Sequence, residues 1–240
     1  MAFRVAISVI VATSASVLAA FTLDRASLAA IGAGTPAFEK GYVCYLGQFS
    51  GFRGPTSAVL FRDVLARESR SLRIGSPFYV CAPATSGPAT GGRGYVVCYT
   101  TPARSLGVER GLVSNFLGSL ALPRTSTRDL ICVDSDRVDQ RVSSTTSRVF
   151  VCYRSAKPSA SGRTVRVRDA FRRAEAAVAG VPYRGCAAPP ALSAGSPSYL
   201  VCSPLSSGPS AGSVVLRNRF GFVKAVLGSR ATLCVEAERR

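Results

Sequence analysis

The residues whose type and spacing speak first to chemistry are eight cysteines: Cys44, Cys81, Cys98, Cys132, Cys152, Cys186, Cys202 and Cys234. Cysteine can ligate metal, carry redox equivalents or cross-link the chain. No two lie closer than 16 residues and none forms a C-x-x-C pair, so zinc-type and dithiol-redox spacings are absent. Structural disulfides are the expectation. The chain has no histidine, which removes Ser-His-Asp and Cys-His catalysis and the commonest metal ligand. The remaining candidates are weaker. Asp63 and Asp169 end apolar stretches where Asp, Ser and Asn would serve equally as turn caps. Asp134, Asp136 and Asp139 make the densest acidic run, but it lacks the glycine and terminal glutamate of a calcium loop, and Arg137 and Arg141 neutralise it. Gly91-Gly92-Arg93-Gly94 resembles a nucleic-acid-binding Arg-Gly segment in a single copy, and reads as a flexible junction. No catalytic, cofactor-binding or metal-binding residue is assigned.

The spacing of the cysteines defines the elements that hold them. Taken alternately, the first of each pair recurs at intervals of 54, 54 and 50 residues, with separations inside pairs of 37, 34, 34 and 32. Such regularity indicates an internal repeat. The flanking residues agree. Each first cysteine closes a run rich in Tyr, Val and Phe: Tyr42-Val43-Cys44-Tyr45, Tyr95 to Tyr99, Val149 to Tyr153, and Tyr199 to Cys202. A Gly/Ser/Pro-rich loop follows, then an apolar stretch ending on a small polar residue, as at Asp63, Ser114, Asp169 and Asn218.

One unit reads as about three short strands. Val165 and Val167 alternate with Arg166 and Arg168, the period of a sheet with one wet face. Against a purely β unit, residues 169–179 (DAFRRAEAAVA) have helix-forming composition with Asp169 as an N-cap, and residues 63–72 are similar, so a short helix after the second strand is the alternative reading in some units. The expected fold is mainly β: four tandem disulfide-stapled repeats over 41–93, 94–147, 148–196 and 197–240, packed in series or in two pairs. Fifty residues bury too little surface to stand alone, and closing a loop of some 35 residues contributes about 3–4 kcal/mol. Repeat logic favours pairing within units: 44–81, 98–132, 152–186 and 202–234. A rival set, 81–98, 132–152 and 186–202 with 44–234 clasping the ends, also respects the spacing.

The order C-Y, V-x-V-x-D-x-F, L-C-x-P over residues 41–240 resembles tandem cysteine-paired repeats of exported bacterial proteins of uncharacterised function. Cys-Tyr stands at Cys44-Tyr45, Cys98-Tyr99 and Cys152-Tyr153 but becomes Cys202-Ser203. D-x-F is complete only at Asp169 and Phe171, and the following glycine survives as Gly221. The resemblance implies drifted structural modules and brings no activity with it.

Residues 1–29 read as a signal peptide. Arg4 precedes a 16-residue uncharged run from Val5 to Ala20, too short to span hydrocarbon, and small residues follow at Ala19/Ala20 and at Ser27-Leu28-Ala29. The mature chain is therefore expected to be secreted or periplasmic, an oxidising setting for disulfides. Formal net charge is +17, almost wholly from arginine, and the cations are spread along the chain. The leading functional expectation is a non-enzymatic binding or surface-structural module without a cofactor. Its basic balance points to an anionic polymer such as an acidic glycan, a cell-wall polyanion or nucleic acid. The alternative is an exported hydrolase with a non-histidine active site, such as a Ser-Lys pair in which Lys157 or Lys224 serves as base.

Overall fold

A segment such as Tyr42-Val43-Cys44-Tyr45 is apolar on both alternating faces, so it is stable as a strand only when covered on both sides. The computed structural model describes residues 37–55, 58–87, 94–108, 111–122, 125–139, 148–155, 159–190, 197–206, 208 and 211–240. All lie within one compact unit, Thr35–Arg240. The signal-peptide segment 1–29 falls outside the described residues, as do Gly91, Gly92, Arg93 and Lys157. Strand accounts for 75% of the described residues and none is helical, so the mainly-β expectation holds.

The strands run in chain order as β1 (Gly41–Ser50), β2 (Val59–Asp63), β3 (Glu68–Leu72), β4 (Pro77–Thr85), β5 (Tyr95–Gly107), β6 (Gly111–Asn115), β7 (Gly118–Leu122) and β8 (Thr125–Arg137). They continue as β9 (Val149–Arg154), β10 (Ser159–Asp169), β11 (Arg172–Val181), β12 (Arg184–Ala188), β13 (Ser198–Pro204), β14 (Gly212–Asn218) and β15 (Gly221–Arg239). Eight of them, β1-β4-β5-β8-β9-β12-β13-β15, are antiparallel neighbours in that order, and β15 pairs back onto β1. The result is a closed eight-stranded barrel with extra strands attached.

Every disulfide joins two directly opposed residues of neighbouring barrel strands: Cys44–Cys81 on β1/β4, Cys98–Cys132 on β5/β8, Cys152–Cys186 on β9/β12 and Cys202–Cys234 on β13/β15. The rival connectivity is therefore not the one formed. Its partners still touch, with Cys81 Sγ 3.8 Å from Cys98 Sγ and Cys132 Sγ 3.7 Å from Cys152 Sγ. All eight cysteines pack with Tyr42, Tyr79, Val96, Leu130, Phe150 and Leu200 in one buried cluster that draws on every barrel strand. Only the inside of the barrel can bring those strands together, and an eight-stranded barrel is just wide enough for side chains to fill.

Between the two barrel strands of each segment lies a hairpin: β2–β3, β6–β7, β10–β11, and β14 with the first part of β15. Each reaches the segment opposite in barrel order. The β10 tip pairs with the end of β4 (Asp169 opposite Ala84), β14 with the end of β8 (Leu216 opposite Arg137), and β6 with the end of β15 (Ser114 opposite Glu238). Hairpin residues Val165, Val167, Leu216 and Val223 cover the outward residues Val43, Tyr45, Val97 and Tyr99. Val113, Leu120 and Leu122 of the second hairpin and Leu65 of the first share another buried cluster with Val151, Tyr153 and Ala187 of the third segment and Val201 of the fourth, so the second hairpin also covers its neighbouring segment.

Three expectations are corrected. Segments 41–93, 94–147 and 148–196 each hold four strands rather than three, and in 197–240 the last two are fused into β15. The segments do not stack in series as self-contained repeats, because two barrel strands cannot close a barrel and each hairpin covers a different segment. Finally, residues 169–179 form a turn and β11 instead of a helix, with Ala177 and Ala179 buried while Val178 faces out. Packing of a two-faced strand outweighed the helix propensity of its alanines.

Candidate functional site

The Asp/Asn position recurs at each hairpin tip, and its geometry is that of a turn. Asp63 Oδ1 accepts from the backbone N–H groups of Leu65 and Ala66, and Asp169 Oδ1 from that of Phe171. Asn218 Oδ1 accepts from the N–H of Phe220 in the same way. In the second hairpin the residue doing this is Asn115, bonded to the N–H of Leu117, and not Ser114. Shifting that motif by one residue also recovers its glycine. Gly118, after Asn115-Phe116-Leu117, matches Gly221, after Asn218-Arg219-Phe220, and both have positive φ, at 148° and 116°. The side chain satisfying its own backbone two residues on is the Asx turn that makes Asp and Asn interchangeable here.

The other side-chain oxygens carry the long-range architecture. Tyr45 donates to Asp169 Oδ2 at 2.8 Å, and Tyr153 donates to Asp63 Oδ2. These two links are reciprocal, joining the first and third segments in both directions. Asn218 Nδ2 donates to Tyr99 Oη at 2.8 Å, joining the fourth segment to the second. The return link does not run through a tyrosine: Ser203 stands where the fourth tyrosine would be, its Oγ buried without a hydrogen-bond partner, and Asn115 Nδ2 donates instead to the backbone carbonyl of Val235 on β15 at 3.4 Å. Burial, then the Asp169 carboxylate, pushes the Tyr45 hydroxyl far above its ordinary range. Burial, then the hydrogen bond to Asp63, does the same to Tyr153, while Tyr99 is pushed up to about 12 by burial. The Asp169 carboxyl is raised by burial, against the pull of the Phe171 N–H, Tyr45 and Arg230.

A buried arginine stands by each reciprocal pair. The Arg230 charge acts on Tyr45 and Asp169, and the Arg128 charge acts on Tyr153. Both are only 2–3% exposed. The sequence reading passed over them, although each lies four residues before a second cysteine, Cys132 or Cys234, where the other two segments have Pro77 and Pro182. Glu175 bridges Arg230 and Arg172. At another point Arg184, 3% exposed, grips Asp129 through two nitrogens at 3.2 and 2.6 Å, and Arg154 joins the same carboxylate. In each reciprocal pair both Asp oxygens are occupied and the carboxyl is buried, so neither Asp is free to take a proton from a substrate. These constellations hold the fold.

The other sequence candidates disperse. Asp134 pairs with Arg148 at 3.0 Å, Asp139 with Arg137, and Asp136 sits in register with Arg217, so the acidic run does not converge. Among the described residues no cluster of three or more metal-ligand side chains occurs. Lys224 is in register with Ser50 on an open, exposed sheet face.

What faces outward is basic. On the β10–β11 hairpin Arg166 and Arg168 are exposed on the side away from Val165 and Val167, and Arg173 is exposed beside the turn. The hairpin's two acids are turned elsewhere, Asp169 to Tyr45 and Glu175 to Arg172 and Arg230. A cavity of about 620 Å³ lies at the β2–β3 tip, lined by Arg62, Arg67 and Arg239 with Asp63, Glu68 and Tyr199. Arg67 holds a positive φ of 53° there. Compared with known protein families, curated proteins and solved structures, the chain matches none.

Proposed function

We propose that the chain is an exported, non-enzymatic binding protein whose β10–β11 hairpin presents an arginine face to anionic polymers such as acidic glycans or cell-wall polyanions. One observation carries the reading: the hairpin sorts its charges by side, with Arg166, Arg168 and Arg173 outward and both carboxylates engaged on inner partners. Cations without local counter-charge attract polyanions and lose that attraction to salt. Four disulfides are typical of proteins that mature outside the reducing cytoplasm, and no described helix is long and apolar enough to cross a membrane. Within this proposal the segments are drifted copies of one cysteine-paired module, akin to the tandem repeats of exported bacterial proteins. The recurrence of opposed disulfide, hairpin and Asx turn supports that reading.

Dextran sulfate binding tests it. The oxidised protein is expected to bind at low ionic strength, with affinity falling as salt rises. Arg166→Ser/Arg168→Ser/Arg173→Ser should weaken binding roughly tenfold, three exposed ion pairs at about half a kcal/mol each. Salt-independent binding, or an unaffected triple variant, would refute the proposal.

A further inference from the structure

A different hairpin carries a different face. β14, the Gly221–Gly228 part of β15 and the Leu46–Ser50 part of β1 form a three-stranded antiparallel sheet. One side, with Val214, Leu216, Val223, Ala225 and Leu227, is buried in the core. On the other side large apolar side chains are left in water: Val215 is 41% exposed, Phe222 54%, Val226 53% and Leu46 41%. Cations are set among them by register. Lys224 lies opposite Val215, and Arg217 opposite Phe222. None of these three segments contains an Asp or Glu; the nearest acid in register is Asp136 on β8, opposite Arg217 at the edge.

We infer that this face docks onto an anionic lipid surface. A soluble polyanion would engage the cations and leave Phe222, Val215 and Val226 wet. At a bilayer interface the two classes are satisfied together, with apolar side chains entering the headgroup–acyl boundary and Lys or Arg reaching lipid phosphates. A second copy of the chain is a poorer occupant. A two-fold contact through this face would set one copy's cations, Lys224 and Arg217, against the same basic patch of the other, and like charges across an interface oppose association. The molecule's +17 charge adds long-range attraction to anionic lipid and none to a copy of itself. The inference does not rest on the arginine face of β10–β11.

The chain has no tryptophan, so Phe222→Trp places a single reporter on the face, at its hairpin end. In the oxidised protein its emission is expected to shift to the blue with phosphatidylglycerol vesicles, and to stay put with phosphatidylcholine vesicles or dextran sulfate. Adding Val226→Asp should weaken the vesicle-dependent shift roughly tenfold, since it removes an apolar contact and puts a carboxylate against lipid phosphate. It should leave dextran sulfate binding intact, whereas the Arg166/Arg168/Arg173 variant should show the reverse pattern. Three outcomes would overturn the inference: no shift with anionic vesicles at low salt, an equal shift with neutral ones, or a blue-shifted, dimeric protein before lipid is added. Urea unfolding of each variant, expected to match the parent because these side chains are exposed, separates lost docking from lost folding.

Discussion

The first and third segments of the barrel answer each other, and the second and fourth do so only halfway. On one axis Tyr45–Asp169 and Tyr153–Asp63 are two copies of one link, each with a buried arginine in attendance, Arg230 or Arg128. On the other, Tyr99 meets an amide, Asn218, and the reciprocal place holds Ser203. Disulfides are the same on both axes, so they do not account for the asymmetry. The lesson is that hairpin docking across the barrel has two independent parts. The apolar covering of the barrel is common to all four hairpins. The polar link is a phenol–carboxylate pair on one axis, a phenol–amide pair in one place on the other, and in the last a longer bond from the Asn115 amide to the backbone carbonyl of Val235.

That account breaks if removing a phenolic oxygen costs the same on both axes. Tyr45→Phe leaves Asp169 Oδ2 buried without its donor, a loss of about 1–3 kcal/mol. Tyr99→Phe leaves Asn218 with Ser135 Oγ, to which its amide also donates at 2.9 Å, so only about 0.5–1 kcal/mol is expected. Urea unfolding of the two variants decides it, and equal losses would mean that charge plays no part.

The charged axis should also be the one that senses pH. Burial raises the Asp169 carboxyl in the folded state, so across the window from its unfolded value up to the raised one the folded chain holds the proton more tightly. The Asp169 contribution to stability is then greatest below the ordinary carboxylate range and falls as pH rises through that window, with a slope of at most about 1.4 kcal/mol per pH unit. Asp169→Asn should flatten this contribution while keeping the turn, since Asn115 and Asn218 make the same bond to the backbone. Thermal unfolding from pH 3 to pH 8 reads the difference, and a slope unchanged in the variant would place its origin elsewhere.

Much of this was visible in the chain before its fold. The cysteine spacing implied the pairing, because like-placed cysteines in like-placed strands end up opposite one another. The interchange of Asp and Asn at the hairpin tips implied a turn. Closure of the barrel was not visible: nothing local to Gly41–Ser50 announces that it will pair with β15 at the far end of the sequence. The helix alternative at 169–179 failed for a related reason. Its alanines carry helix propensity, but the surface that Ala177 and Ala179 fill belongs to other segments. Asn115 was missed because the apolar stretch before it is a residue longer than the eye allowed, and only the backbone bond fixes the alignment.

The smallest effect is the most discriminating, since it concerns the place where the tyrosine is absent. Ser203 Oγ is fully buried on β13 and bonds to nothing, so the folded state bears the cost of stripping water from a hydroxyl without return. Ser203→Ala removes that cost and leaves a void of a single oxygen, so stability should be unchanged or rise by up to about 1 kcal/mol. Ser135→Ala is the matched control. Ser135 is also buried and on the same axis, but its hydroxyl donates to Val133 O at 2.9 Å and accepts from Asn218. The same change there should cost about 1 kcal/mol, because Asn218 loses an acceptor. Opposite signs for one substitution at two buried serines would show that no hydrogen bond runs through Ser203 in solution as well. If Ser203→Ala is instead as damaging as Ser135→Ala, the hydroxyl has a partner, and the two axes are more alike than their residues suggest.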